Sequence, residues 1–309
     1  MQKSVRLADD ARKAYLAEER DPTKEVFVAL SLGPFGSAVK PPQDFDGFYP
    51  PPFGPKGPSY EGDGLGNTRL FSPDSDGVEE DEKKAIEALA GFHLWRLRAV
   101  ASNPETWSSV DYVAFETVPH LRELRAIKVA MARFFDAESR GRGLKGWWIS
   151  LVFPDDEGSG QWGPEERERQ TRSLGVDLTD EPSRSEILNV VLDDRIGAVP
   201  TGLGLNCTRI DRYPSILSSI ASGGSEPVPL TLAVYPNGGR AGDTFDPLTH
   251  RWKNGGRPRP DGRNITWEEE VVEVVQKCRG KWKDVVVGGC CRVYPPQIKA
   301  LREKVDEML

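Results

Sequence analysis

An α/β fold built on a parallel sheet is predicted by three observations. Short runs rich in β-branched and aromatic residues each end in small or polar residues, segments with helical spacing recur between them, and the runs are apolar throughout rather than alternating. Continuous apolar character marks a strand buried on both faces, and strands alternating with helices mark a sheet covered by helices. The chain of 309 residues exceeds the usual single domain, yet barrels of about 250 residues fold as one unit. One domain over residues 1–309 with long excursions is therefore expected.

The amino-terminal stretch MQKSVRLADDARKAYLAEER is charged throughout and leaves room for one helix before the first strand candidate. The strand candidates are EVFVALSLGP (25–34), DYVAFETVP (111–119), KGWWISLVFP (145–154), TGLGLNCT (201–208), PLTLAVYPNGG (229–239) and DVVVGGCC (284–291). Between them, residues 118–138 place Leu121, Leu124, Ile127, Val129 and Met131 near a 3.6-residue repeat, with Pro119 in the first turn where proline is tolerated. Residues 266–280 read as a helix with Thr266 as N-cap, Glu269 as its capping-box partner and Gly280 as the stop. An amphipathic helix over 295–309 closes the chain.

Three stretches, 40–80, 155–185 and 238–265, are rich in Pro, Gly and polar residues and hold no regular element for long. Each follows the carboxyl end of a strand candidate, the edge where α/β folds place their sites. Six candidates are two fewer than the eight strands of a closed (β/α) barrel.

Composition narrows the function. A formal charge of −7, with no Lys/Arg stripe interleaved with aromatics, opposes a nucleic-acid partner. The sequence holds no run of roughly 20 apolar residues and no signal peptide, so a soluble cytoplasmic protein with no membrane partner is expected. Four cysteines are too few for a disulfide framework. Metal binding, nucleophilic chemistry and plain packing remain for them.

Adjacent cysteines on a regular strand point to opposite faces, so Cys290 and Cys291 converge only where the strand ends. Gly288 and Gly289 precede them and permit such a departure. Cys207 also stands at a strand tail, and all tails of a parallel sheet share one rim. Three thiolates around zinc leave an open fourth position; buried cysteines acting as small hydrophobes are the equal alternative at this level. Cys278, within a helix, is assigned to packing or surface. His93 and His120 in helices and His250 in a loop read as ordinary core or surface residues. Trp147 and Trp148 read as packing on the two faces of one strand.

GLGLNCT, then AVYPNGG, then VVVGGCCRVYPPQIKALREKV resemble the end of the homocysteine S-methyltransferase family, and VALSLGPFG and DYVAFETVPHLRELRAI resemble its earlier strands in the same order. The resemblance spans nearly the whole chain outside the excursions. It implies a (β/α)8 TIM-barrel type of fold, incomplete, with about six of eight strands present. It implies Zn²⁺ held by Cys207, Cys290 and Cys291, which would act as metal ligands rather than nucleophiles. The implied reaction moves a methyl group from S-methylmethionine or S-adenosylmethionine to homocysteine, giving methionine. Glu116 fits the family's carboxylate for the amino group of homocysteine, a solvated strand-end glutamate being the alternative. Asn206 and Asn237 are candidates for polar substrate contacts or for turn hydrogen bonds, and Ser31 and Gly33 line the same rim by resemblance.

One departure stands out. The family's first strand carries an Asp-Gly-Gly motif and its next ends in a Thr/Asn-rich stretch, and neither occurs here. The sequence thus predicts a start within the helix before the third strand, with two βα units absent. A second expectation follows: a truncated, catalytically inactive zinc-binding homologue acting as a binding or regulatory protein. A closed structural zinc site would need another Cys or His on the rim, and the sequence offers no good candidate.

Overall fold

The computed structural model describes residues 1–19, 23–40, 42–45, 47–56, 71, 77–138, 145–153, 181–221, 226–238, 244–246, 251–253, 262 and 265–308. Most of the three excursions, and His250, lie outside the described residues. In chain order the elements are α1 (Gln2–Glu18), β1 (Ala29–Leu32), α2 (Val78–Ala101), α3 (Pro104–Ser108), β2 (Tyr112–Val118), α4 (Leu121–Glu138) and β3 (Gly146–Leu151). There follow α5 (Glu181–Leu192), β4 (Gly202–Arg209), α6 (Tyr213–Ala221), β5 (Val228–Asn237), β6 (Thr244–Asp246), β7 (Arg251–Lys253), α7 (Trp267–Cys278), β8 (Trp282–Val287) and α8 (Pro295–Asp306).

Six strands form one sheet in the order β1-β2-β3-β4-β5-β8, every pairing parallel, while β6 and β7 make a separate antiparallel pair. The parallel six-stranded sheet with helices on its outer face is the α/β architecture expected. Among the described residues it is not closed: β1 hydrogen-bonds only to β2, and β8 only to β5. The last strand starts two residues earlier than its predicted position and stops before the glycines.

Burial corrects one expectation. The helix-facing positions Val113, Phe115, Trp147, Ile149, Leu203, Leu205, Leu232 and Val234 are buried, but β1 alternates between exposed and buried residues and β8 is largely uncovered. Edge strands of an open sheet lack the cover that a continuous apolar run suggested. Trp147 and Trp148 do divide between the faces: Trp147 meets Phe115 edge-on in the core, whereas the Trp148 indole donates to Tyr235 on the inner face.

Local chemistry explains the helix limits. The Thr266 hydroxyl accepts from the Glu269 amide and the Glu269 carboxylate accepts from the Thr266 amide, a complete capping box, with three glutamates in the first turn of α7. Cys278 packs into the core at the end of that helix. Helix α4 begins later than predicted, because β2 runs on through Val118 and Pro119 lies between them. The His120 ring caps it, Nδ1 accepting from the Glu123 amide at 3.1 Å. The carboxyl end of α5 is held by a buried lysine: Lys128 Nζ donates to the carbonyls of Val190, Val191 and Asp193 at 2.8, 2.6 and 2.9 Å. No helix among the described residues is long and apolar enough to cross a membrane.

Candidate metal centre and substrate rim

The tails of β2 and β4 break their ladders to make the site. Pairing slips between Phe115 and Val118 on β2 and between Asn206 and Arg209 on β4. At these slips Thr117 and Cys207 adopt φ of 60° and 49°. For a β-branched residue such a backbone is an outlier that its surroundings must impose. Asn206 supplies the constraint: its Oδ1 accepts from the Thr117 amide at 2.8 Å and its Nδ2 donates to Thr117 Oγ1 at 2.8 Å.

The loop after β8 is stitched to the tail of β5. The Cys290 amide donates to the Pro236 carbonyl at 2.9 Å, and the Gly238 amide to the Cys291 carbonyl at 2.8 Å. The glycines act differently from expectation. Positive φ in this loop falls on Arg292, at 63°, and not on Gly288 or Gly289. Gly289 is needed for close approach, since a Cβ there would lie 2.4 Å from Val293 Cγ1.

These two devices bring together sulfurs that lie 83 positions apart. Cys207 Sγ is 2.9 Å from Cys290 Sγ and 3.9 Å from Cys291 Sγ, and all three lie within 4.8 Å of one another. Metal–sulfur bonds of about 2.3 Å at tetrahedral angles put ligand sulfurs about 3.8 Å apart. The Cys207–Cys291 pair already has that spacing, the Cys207–Cys290 pair opens by about 0.9 Å to admit an ion of that kind, and the Cys290–Cys291 pair lies within 4.8 Å. The donor set is soft and half-buried, suited to a thiophilic metal ion. Hydrogen bonds from the Cys207 thiol, then from Cys291, hold the Cys290 thiol below its usual range, while the same bonding raises Cys207.

The predicted polar residues take distinct places. Ser31 Oγ donates to Glu116 on the inner face of the sheet. Burial pushes the Glu116 carboxyl up, against the opposing hydrogen bond from Ser31, and the nearby Cys290 sulfur pushes the same way as burial. Asn206 is buried with its amide engaged by Thr117. Asn237 Oδ1 is buried without a hydrogen-bond partner among the described residues, and its carbonyl accepts from the Trp267 indole at 2.9 Å. Gly33 sits past the tail of β1, its carbonyl accepting from Arg96 at 2.5 Å. Tyr235 carries no mark in the sequence pattern: its hydroxyl accepts from Trp148 at 3.3 Å, and its single proton faces Ser150 with Glu116 as the competing acceptor.

The segment after β1 is fastened by a buried node. Glu123, fully buried, accepts from the Phe35 amide at 2.6 Å and the Tyr49 hydroxyl at 2.5 Å, with His93 Nε2 at 3.0 Å. Burial lowers the pKa of His93, against the opposing pull of the Glu123 hydrogen bond.

Fold and site together define a class: a parallel α/β sheet whose strand tails gather three thiols into a site able to hold a metal ion. A model of the family described as homocysteine S-methyltransferase matches residues 1–305, and the chain belongs to that family. It is 25% identical over 313 residues to the betaine-homocysteine S-methyltransferase of Drosophila melanogaster, aligning 99% of this chain with 70% of that protein. It is 23% identical over 301 residues to the homocysteine S-methyltransferase YbgG of Bacillus subtilis, aligning 96% with 68%. Among solved structures, the metallated form of the Escherichia coli homocysteine methyltransferase MmuM shares the fold at a TM-score of 0.54 and 22% identity, over 98% of this chain and 69% of that one.

Proposed function

We propose that this chain is a zinc-dependent methyltransferase that moves a methyl group from S-methylmethionine or S-adenosylmethionine to the thiol of homocysteine, forming methionine. The observation that carries the reading is the convergence of Cys207, Cys290 and Cys291 at one rim. Zn²⁺ held by these thiolates supplies a Lewis-acidic fourth position that keeps an acceptor thiol in its nucleophilic thiolate form at neutral pH.

The remaining roles belong to the chain's own residues. Glu116 receives the ammonium of homocysteine, and Ser31 and Tyr235 fix the direction of its carboxylate. Asn237 offers an acceptor unsatisfied among the described residues on the same rim, and the Gly33 segment forms its wall. In the transfer, the new sulfur–methyl bond forms as the donor's sulfonium–methyl bond breaks. The bonding pair stays on the departing sulfur, which leaves as a neutral thioether, and the acceptor's thiol proton goes to solvent. A cationic donor is drawn to a rim carrying thiolate and carboxylate charge.

The edges of β1 and β8, unpaired among the described residues, favour a second reading, a zinc-binding homologue without transferase activity. One assay separates the two: methionine formed from homocysteine and either donor by the purified chain. Turnover that disappears in Cys290→Ala supports the enzyme. Stoichiometric zinc without turnover supports the binding protein.

A further inference from the structure

We propose that Asn206 and Thr117 form a positioning clasp that sets both the direction and the electron density of the Cys207 sulfur. This inference rests on Cys207 being one of the metal-binding thiols. Neither residue's hydrogen bonds are spare. One Nδ2 proton of Asn206 goes to Thr117 Oγ1, and the second faces Cys207 Sγ at 3.4 Å, with Cys290 Sγ the more distant acceptor at 3.9 Å. With its oxygen already accepting from Asn206, the Thr117 hydroxyl turns its single proton toward Cys207 Sγ, 3.7 Å away.

The backbone completes the argument. Thr117 and Cys207 lie on neighbouring ladder breaks, both in the left-handed region. The Oδ1 bond to the Thr117 amide ties one break to the other. Without this tie the turn at Cys207 is held only by the Thr208 hydroxyl, which donates to the Asn206 carbonyl and accepts from the Phe153 amide, and the Cys207 side chain loses part of its aim at Cys290. Both partners are nearly fully buried, so the two weak bonds to sulfur form where water competes little. Groups that orient metal ligands in this way typically contribute a 10- to 100-fold factor in affinity, roughly.

The test uses Thr117→Ala and Asn206→Asp, with Thr117→Ser as the conservative control that keeps the hydroxyl. Zinc affinity is measured by chelator competition, and the Co²⁺-loaded proteins are compared by their thiolate charge-transfer absorption. The first two variants are expected to lose about 10- to 100-fold in affinity and to shift the cobalt spectrum, while Thr117→Ser keeps both. Folded variants matching the wild type in both measurements would overturn the clasp. If Asn206→Asp does not fold, the Thr117 pair decides alone.

A metal-free arm separates this inference from the metal reading. In a metal-stripped Cys291→Ser background, diamide takes two electrons and two protons from Cys207 and Cys290 as their disulfide forms. The clasp predicts markedly slower bonding in Thr117→Ala than in the background, with Thr117→Ser restoring the rate. If the wild type binds no zinc, the metal reading fails and these rates still judge the clasp; equal rates overturn it.

Discussion

Replacing Glu123 with alanine should be among the most damaging single changes outside the sulfur site. Its carboxyl group takes hydrogen bonds from the Phe35 amide, the Tyr49 hydroxyl and His93, and the glutamate, the tyrosine and the histidine are fully buried. Alanine leaves three polar groups without partners and a void between α2, α4 and the segment after β1. Each buried polar group left unpaired costs about 1–3 kcal/mol and the costs are not additive, so a loss of about 3–5 kcal/mol is expected. With a urea slope of about 3 kcal/mol/M for a chain of this size, the midpoint should fall by about 1–1.7 M. Glu123→Gln keeps the shape and one acceptor and should cost less than half as much. An alanine variant unfolding within about 0.3 M of the wild type would show that the node does not fasten the segment after β1.

Other predictions follow from particular contacts. Lys128→Met strips three carbonyls at the end of α5 of their donor, and calorimetry should show a loss of about 2–4 kcal/mol. Asp9 is held at a pKa of about 2, below its ordinary 3.8, chiefly by the hydrogen bond from Lys13 and then that from Arg12. A lowered carboxyl contributes stability above pH 3.8 that is lost as pH falls toward about 2. The gap in urea midpoint between wild type and Asp9→Asn should therefore close across that window, and a constant gap would refute the assignment. Glu116→Gln should raise the KM for homocysteine by about 30-fold or more through loss of the charge facing its ammonium, with the zinc content unchanged; an unaltered KM would remove Glu116 from the substrate site.

Much of this was legible in the sequence because it depends on local pattern. The six strands announce themselves by apolar runs, and the capping box at Thr266 and Glu269 fixed the start of α7 to the residue. The cysteines were readable for a topological reason, since parallel strands place their tails on one rim. What stayed hidden depends on contacts between distant segments. Nothing in FETV marks Thr117 for a left-handed backbone, because threonine's local preference is extended and only Asn206, 89 positions away, imposes the turn. Lys128 and Glu123 look like solvated helix residues until α5 and the segment after β1 pack over them. Gly288 and Gly289 were sound markers of a strand end, but Gly289 serves close packing against Val293 rather than a turn of backbone.

The central claim is that three sulfurs at the strand tails hold one metal ion, and metal analysis of the purified protein tests it directly. Protein prepared with zinc supplied should carry about one zinc per chain, as a single site of three thiolates requires, and the Cys290→Ala protein should carry almost none while remaining folded. A metal-free wild type, or a Cys290→Ala variant that keeps its full zinc content, would contradict the account.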